Sequence, residues 1–536
     1  MTESRLAWLA TFRVVQLVGL GGLFYGLFLM LIAGAEPQQK VPDKVRAART
    51  YPATGKLNLD EAKLNREAIE NGLVNGGIVQ LERGVYQLDR GLMLDERHSG
   101  CTLRGRGPGA TRLINAFTPS PYIANCTFST MPFPTGYNDP WDAVSGNSIH
   151  IPEAFTWVDF AYFRPGDVVW TFKWNGYWGG VPMPRARRVV QKVDVQSRSV
   201  TLEAPPPQDH NSLKWSRGCP IEDVSEGDTK VTLQSDETNL YTVGQWIYVT
   251  AGPSTAHEAT GEYRKVVSVE GHDLNVERPL RRAYTGAAAV RGPFVSDVTV
   301  EDLTIGNPVN VASNPMVLKF LVNGRFKNVV GGLCNSGAAA TCAYLDFDGC
   351  EFTSGTGFGL NTSHDVAFRN CKLGTFTAEE ACMDITVVDS LVFAVRGIHG
   401  IQAGLFCERF QIRNSRIEGF GYPGSGGGNG SPFVMDGRDH VIQNVKVRYT
   451  NSTTGSFLSG DNFRIDNLDH DVGVYFINGK GWLITNSKAR LWQWLRDGTT
   501  GTMYGSEGLR PEKVEGWSID GRGVNQAESQ KKGGGS

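Results

Sequence analysis

Residues 347–373 read FDGCEFTSGTGFGLNTSHDVAFRNCKL, and they say one thing twice. FDGCEF (347–352) and FRNCKL (368–373) each set an apolar residue first, then a charged one, then Gly or Asn, then further alternation. The frame recurs in VEDLTI (300–305), VVDSLV (387–392), IRNSRI (412–417), IQNVKV (442–447), IDNLDH (465–470) and ITNSKA (484–489), with FKNVVG (326–331) a weaker copy. Its third residue is an anchor: Asp302, Asn328, Gly349, Asn370, Asp389, Asn414, Asn444, Asn467 or Asn486, spaced by 19 to 30 residues. That spacing marks a solenoid, because one such unit has no partner for its own apolar face. Alternation with a turn residue in every unit excludes leucine-rich and helical repeats and leaves a parallel β-helix.

The register follows from the same frame. Two residues before the anchors stand Val300, Phe326, Phe347, Phe368, Val387, Ile412, Ile442, Ile465 and Ile484, all apolar. This is the inward slot, and strand alternation turns its neighbours outward. Nine coils at the usual strand spacing span about 43 Å. An anchor Asn or Asp tolerates the left-handed turn that a corner needs.

Composition agrees. The chain has 536 residues, 65 of them glycine, and only 20% are charged, which favours a turn-rich all-β protein. A formal net charge of −2 gives no bulk attraction to nucleic acid, so any charged partner must meet a local patch. Nine cysteines lie beyond position 100, an odd number without a CxxC or Cys/His cluster, which argues against a zinc site. Cys350 and Cys371 share an inward slot, where free stacking is expected rather than a disulfide.

The ends stand apart. Val14 to Ala35 is uncharged, follows Arg5 and Arg13, and closes on Ala33-Gly34-Ala35, the small-residue pattern of an export signal. The alternative is an uncleaved membrane anchor, since the segment is long enough to span a bilayer. Lys40, Lys44, Arg46 and Arg49 follow directly and oppose an anchor whose N-terminus stays inside. The body is expected outside the cytoplasm, as a secreted, periplasmic or membrane-anchored surface protein. The organisation read from the chain is 1–35 signal or anchor, 36–113 linker, cap and first coil, 114–294 insertion, 295–515 main β-helix, and 516–536 flexible tail ending KKGGGS. Within the insertion, RPGDVVWTF (164–172) with RRVVQKVDVQSRSVTLEAPPP (187–207) resembles VGQWIYVTA (243–251) with YRKVVSVEGHDLNVERPLRR (263–282). The expectation is two small β-modules. Asn58 to Gly72 reads as an amphipathic helix capping the solenoid.

GGIVQLERGVYQL (76–88) followed by CTLRGRG (101–107) resembles the first coil of the pectate-lyase-like superfamily. The likeness covers roughly residues 55–113 and 295–490. It implies a right-handed, single-stranded parallel β-helix. It leaves the activity open, because that fold hosts polysaccharide lyases, glycoside hydrolases, C5-epimerases and phage tailspikes.

Several groups carry candidate chemistry. The outward slots read, coil by coil, Asp348 and Glu351, Arg369 and Lys372, Val388 and Leu391, Arg413 and Arg416, Gln443 and Lys446, Asp466 and Asp469, then Thr485 and Lys488. A basic stripe between acidic rungs suits a long polyanion, since guanidinium groups pair with carboxylates; the plainer reading is a solvated charged face. Leu468-Asp469-His470-Asp471 partly matches the Asp-Pro-His-Asp motif of the superfamily's alginate-type epimerases, without its Pro. The resemblance implies that Asp469, His470 and Asp471 move a proton beside a carboxylate, with Lys446 or Lys488 neutralising it. From the residues alone, His470 is equally a core histidine. Asp346 and Asp348 share a strand face and suit acid–base hydrolysis or calcium, though no third acid is identifiable. Asp436 and Asp439 flank Arg438 after the glycine-rich GYPGSGGGNGS, which lacks the ending of a phosphate cradle. His399 is isolated. In WNGYWGG (174–180), Trp174, Tyr177 and Trp178 are placed to stack on sugar faces or to form a local core, and Trp492 and Trp494 read as a C-terminal cap. Two function classes follow: an enzyme on an acidic polysaccharide, and a non-catalytic adhesin or tailspike-like glycan receptor. Exposed apolar residues along one flank would favour a homotrimer.

Overall fold

The structure, a computed structural model, describes residues 58–115, 127–130, 139–140, 143–150, 164–173, 185–215, 218–253, 259–292, 294–306, 316–331, 338–353, 357–379, 381–394, 399–404, 406–420, 430–450, 455–495, 498–510, 516–520 and 523–525. Among the described residues, thirty-one parallel strands form three columns along a parallel β-helix. One coil is Ala343–Asp348, Glu351–Phe352 and Phe358–Asn361; the next is His364–Arg369, Lys372–Leu373 and Phe376–Ala378. The nine inward residues are successive partners from Val300 to Ile484, and every one is buried. Phe347 stacks between Phe326 and Phe368, with ring centroids 4.7 and 4.6 Å apart.

The anchors are corners. All nine have φ between +49° and +63°, the left-handed region that Asn, Asp and Gly enter most cheaply. Their side chains also ladder between coils: Asn444 Nδ2 donates to Asn414 Oδ1 at 2.9 Å, and Asn467 Nδ2 to Asn444 Oδ1 at 3.0 Å. A second set of corners lies five residues earlier, at Asp297, Asn323, Tyr344, Asp365, Asp384, Arg409, Asp439, Asn462 and Gly481, with φ from +52° to +70°. Each first-column strand therefore bends at both ends.

The helix Leu59–Leu73 closes one end of the core. Its N-cap Asn58 accepts from Asp60 N at 3.1 Å, Ile69 and Leu73 are buried, and Arg66 holds Asp89 of the first coil at 2.7 Å. The solenoid is longer than the sequence reading at both boundaries. Phe128–Thr130 pairs with Leu92–Leu94 and Met316–Lys319, so part of the segment assigned to the insertion completes a coil. Trp517–Asp520 and Gly523–Asn525 continue the columns past residue 515. Trp492 is buried and Trp494 packs edge-on against Trp517 at 5.2 Å, closing the far end with aromatic rings.

The inserted segments form two antiparallel sheets, of seven and six strands. Their hydrogen bonds repeat. Gly166 N bonds to Val190 O as Gly244 N bonds to Val266 O, and Glu203 N to Val189 O as Glu277 N to Lys265 O. A bulge follows Val190 in one and Val266 in the other. The duplication seen in the sequence is thus a duplication of backbone geometry. Seven cysteines are described and all are buried; Cys350 and Cys371 stand in neighbouring coils as free thiols.

Candidate functional site

The two predicted outward rows run in register. Asp348, Arg369, Val388, Arg413, Gln443, Asp466 and Thr485 are successive partners in the first column. Glu351, Lys372, Leu391, Arg416, Lys446, Asp469 and Lys488 are successive partners in the second. The basic stripe exists, but its charges are shared with neighbours. Arg369 pairs with Asp346 and Arg416 with Glu418; Lys372 Nζ lies 3.4 Å from Glu351, and Arg413 donates to Gln443 Oε1 at 2.9 Å. Exposed pairs of this kind are worth about 0–1 kcal/mol each, so a ligand carboxylate displaces them at little cost. Asp346 and Asp348 do share an outer face on either side of Phe347; Asp348 Oδ1 accepts from Asn370 Nδ2 at 2.9 Å.

Asp469, His470 and Asp471 do not converge. Strand alternation turns Asp469 outward and His470 into the core, where it is 2% exposed. Its Nε2 lies 2.7 Å from Ser456 Oγ and its Nδ1 3.0 Å from Val472 O, and burial pushes its pKa down to about 3. His470 is a neutral core histidine. Asp469 bonds to Arg448, which holds its carboxyl below the usual range. Asp471 accepts from Tyr449 N at 2.8 Å, and burial raises its pKa. Lys446 and Lys488 do flank Asp469 in register, so that row stands without the imidazole.

The sequence reading misses a second arrangement, at the earlier set of corners, where the six-stranded module docks. Arg281 Nη1 donates to Asp365 Oδ2 at 2.6 Å and to Asp384 Oδ2 at 2.8 Å, and its Nη2 donates to Asp365 Oδ1 at 2.7 Å. Asp365 and Asp384 hold the same corner of adjacent coils, about 4.8 Å apart along the axis. Arg409, the next corner, grips Asp384 through Nε at 2.9 Å and Nη2 at 3.0 Å. Glu408 meets Arg282 at 3.0 Å, Arg438 at 3.0 Å and Arg409 at 2.9 Å. Burial opposes the charge on Asp365, but hydrogen bonds from His364 and Arg281 prevail and keep its carboxyl well below the usual range. Glu408 is likewise lowered, with Arg282 and Arg438 outweighing its burial. His364 is fully buried; its Nε2 accepts from Tyr263 N at 2.8 Å, so the ring proton sits on Nδ1, 2.7 Å from Asp365 Oδ2.

Tyr344 and Arg409 break the rule of the corner set. Each bears a bulky side chain at positive φ, at a cost of about 1–2 kcal/mol. Tyr344 spends its hydroxyl on Tyr263 O at 3.1 Å, and Arg409 spends its guanidinium on Asp384 and Glu408. The signal for this set was in the chain: Asp or Asn stands five residues before the anchor at 297, 323, 365, 384, 439 and 462. Between the two corners Ala367, Thr386 and Gln411 are successive outward partners, giving a shallow floor between the docked module and the basic stripe. Carboxylates held ionised by fixed guanidinium groups suit recognition of charge better than proton donation, which needs a raised carboxyl pKa.

The remaining predicted positions are quickly placed. Trp174, Tyr177 and Trp178, most of the glycine-rich loop, and Val14 to Ala35 lie outside the described residues. Burial pushes the pKa of His399 down to about 4. Among the described residues no group of three or more His, Cys, Asp or Glu could hold a metal ion, and no helix is long and apolar enough to cross a membrane.

No family model and no curated protein matches the chain. Solved structures do. The tailspike gp49 of Pseudomonas phage LKA1 is 14% identical, with TM-score 0.44 over 86% of this chain and 72% of its own. The A-module of the mannuronan C-5 epimerase AlgE6 of Azotobacter vinelandii is 10% identical, with TM-score 0.35 over 86% and 95%. The Gp54 tailspike of Acinetobacter baumannii bacteriophage AP22, solved with A. baumannii capsular saccharide, is 9% identical, with TM-score 0.36 over 85% and 73%. The fold, read from its own strand columns, is a parallel β-helix. At these identities and TM-scores the likeness assigns neither family nor activity to this chain.

Proposed function

We propose that the chain is an exported glycan-binding β-helix protein whose ligand is an acidic polysaccharide lying along the solenoid. The observation that carries this reading is the set of rows in register, in which Arg369, Lys372, Arg413, Arg416 and Lys446 stand beside the floor and the charged crevice, the ion-pair cluster of Arg281, Asp365, Asp384, Arg409 and Glu408 where the six-stranded module docks. A polymer with regularly spaced carboxylates meets regularly spaced cations there, and each contact replaces a weak surface pair rather than a buried one. The uncharged run from Val14 to Ala35 supports export.

A second reading, an enzyme of the lyase, epimerase or hydrolase kind, is favoured by Asp365 and Asp384. They are paired carboxylates on adjacent coils; because Arg281 bonds both, they fit the nucleophile or base of such a reaction, and its acid must come from another group. Affinity electrophoresis through gels of polyuronates and neutral glycans tests the first reading, and unsaturated-uronate absorbance with reducing-end release tests the second. Retardation by acidic gels alone, with no absorbance and no new ends, is the expected result. Retardation only by neutral gels overturns the acidic ligand. New ends or absorbance make the protein an enzyme.

A further inference from the structure

We propose that Phe406 and Arg438, at the edge of the crevice, form a subsite that seats one anionic sugar residue; this rests on the glycan-binding reading above. Phe406 is 49% exposed, the one phenylalanine among the exposed large hydrophobic residues of the described chain. It sits at φ +63°, and its carbonyl accepts from Arg282 Nη2 at 3.2 Å, so the backbone holds the ring outward at the module's edge. Arg438 pairs in register with Glu408, two residues after Phe406, with Arg438 N bonded to Cys407 O at 3.1 Å, and Arg282 Nη2 links the two positions by reaching both the Phe406 carbonyl and the Glu408 carboxylate that Arg438 also holds. An exposed aromatic face beside a planar cation offers both surfaces of a uronate: the ring stacks on the C–H face of the sugar, and the guanidinium takes the carboxylate.

The charge balance points the same way. Arg281, Arg282, Arg409 and Arg438 face three close carboxylates, Asp365, Asp384 and Glu408. A fourth, Asp439, reaches Arg438 only at 3.9 Å and is engaged by Asn462 Nδ2 at 3.0 Å. Arg438 is half-exposed; its Nη2 reaches Glu408 at 3.0 Å and its Nε lies 3.9 Å from Asp439. One added carboxylate satisfies this surplus; a neutral sugar does not.

The test is calorimetric titration of the full chain with an oligouronate and with a neutral oligoglucan of equal length. Its variants are Phe406→Asn, Arg438→Gln and, as a distant control, Lys230→Gln. Asn keeps the left-handed backbone at Phe406 while removing the ring. The expected result is at least a tenfold loss of oligouronate affinity for F406N and for R438Q, no change for K230Q, and loss of the preference for acidic over neutral ligand in R438Q only. Unaltered oligouronate affinity in both variants overturns the subsite while leaving the glycan-binding reading intact. A wild-type chain that binds neither ligand, or only the neutral one, overturns both. Thermal unfolding of each variant guards against misfolding; should F406N be unstable, Phe406→Leu keeps the apolar bulk without the aromatic face and is read the same way.

Discussion

An asparagine at a corner does two jobs, and they separate by substitution. Asn444 tolerates φ +54° and ladders by its amide to Asn414 and Asn467. Asn444→Gly keeps the first and loses the second, whereas Asn444→Ala loses both. Denaturant unfolding should therefore place Ala about 1–2 kcal/mol below wild type, with Gly between them. The reverse ranking would mean that the corners are not what holds the chain there. The buried histidines make a second prediction. His470 is pushed down to about 3 and His440 to about 4 by burial, so the unfolded chain, titrating near 6.5, binds protons that the folded one refuses. Their stabilisation is complete above about pH 6.5 and is lost as pH falls through the folded values. The unfolding midpoint should decline from pH 7 towards pH 4, and His470→Gln should flatten that decline.

At the scale of the coil, the inward column carries the stability. Phe347 lies between two stacked rings, so Phe347→Ala opens a cavity that neither neighbour can fill and should cost about 3–5 kcal/mol in equilibrium unfolding. These columns were legible in the sequence because inward residues must be apolar in every coil and because Asn, Asp and Gly enter left-handed backbone at least cost. Both outward rows could then be written down residue by residue. The earlier corners were not found. Two of them are Tyr344, which spends its hydroxyl on Tyr263 of the distant module, and Arg409, which grips Asp384 of the preceding coil, and no local pattern announces either contact. His470 was legible only as a choice between a core and a catalytic histidine; the partner that decides it, Ser456, lies 14 residues away.

Across the whole molecule, the six-stranded module is held to the solenoid by ion pairs from Arg281 and Arg282 and by the buried contact between Tyr263 and His364. Arg281→Leu strands two carboxylates against the module. Hydrogen-exchange mass spectrometry should then show several-fold faster exchange across residues 259–290, with the inward strands of the solenoid unchanged. Uniform exchange in both parts would mean that the docking is carried by apolar packing alone. The crevice was invisible in the chain for a plain reason: Arg281 and Asp365 are 84 residues apart, and no repeat links them. The paired corners have a last consequence. A body whose every turn obeys the same two bends behaves as a ruler graduated in steps of about 4.8 Å. Inserting or excising one complete turn resets its length while leaving the neighbouring graduations in place.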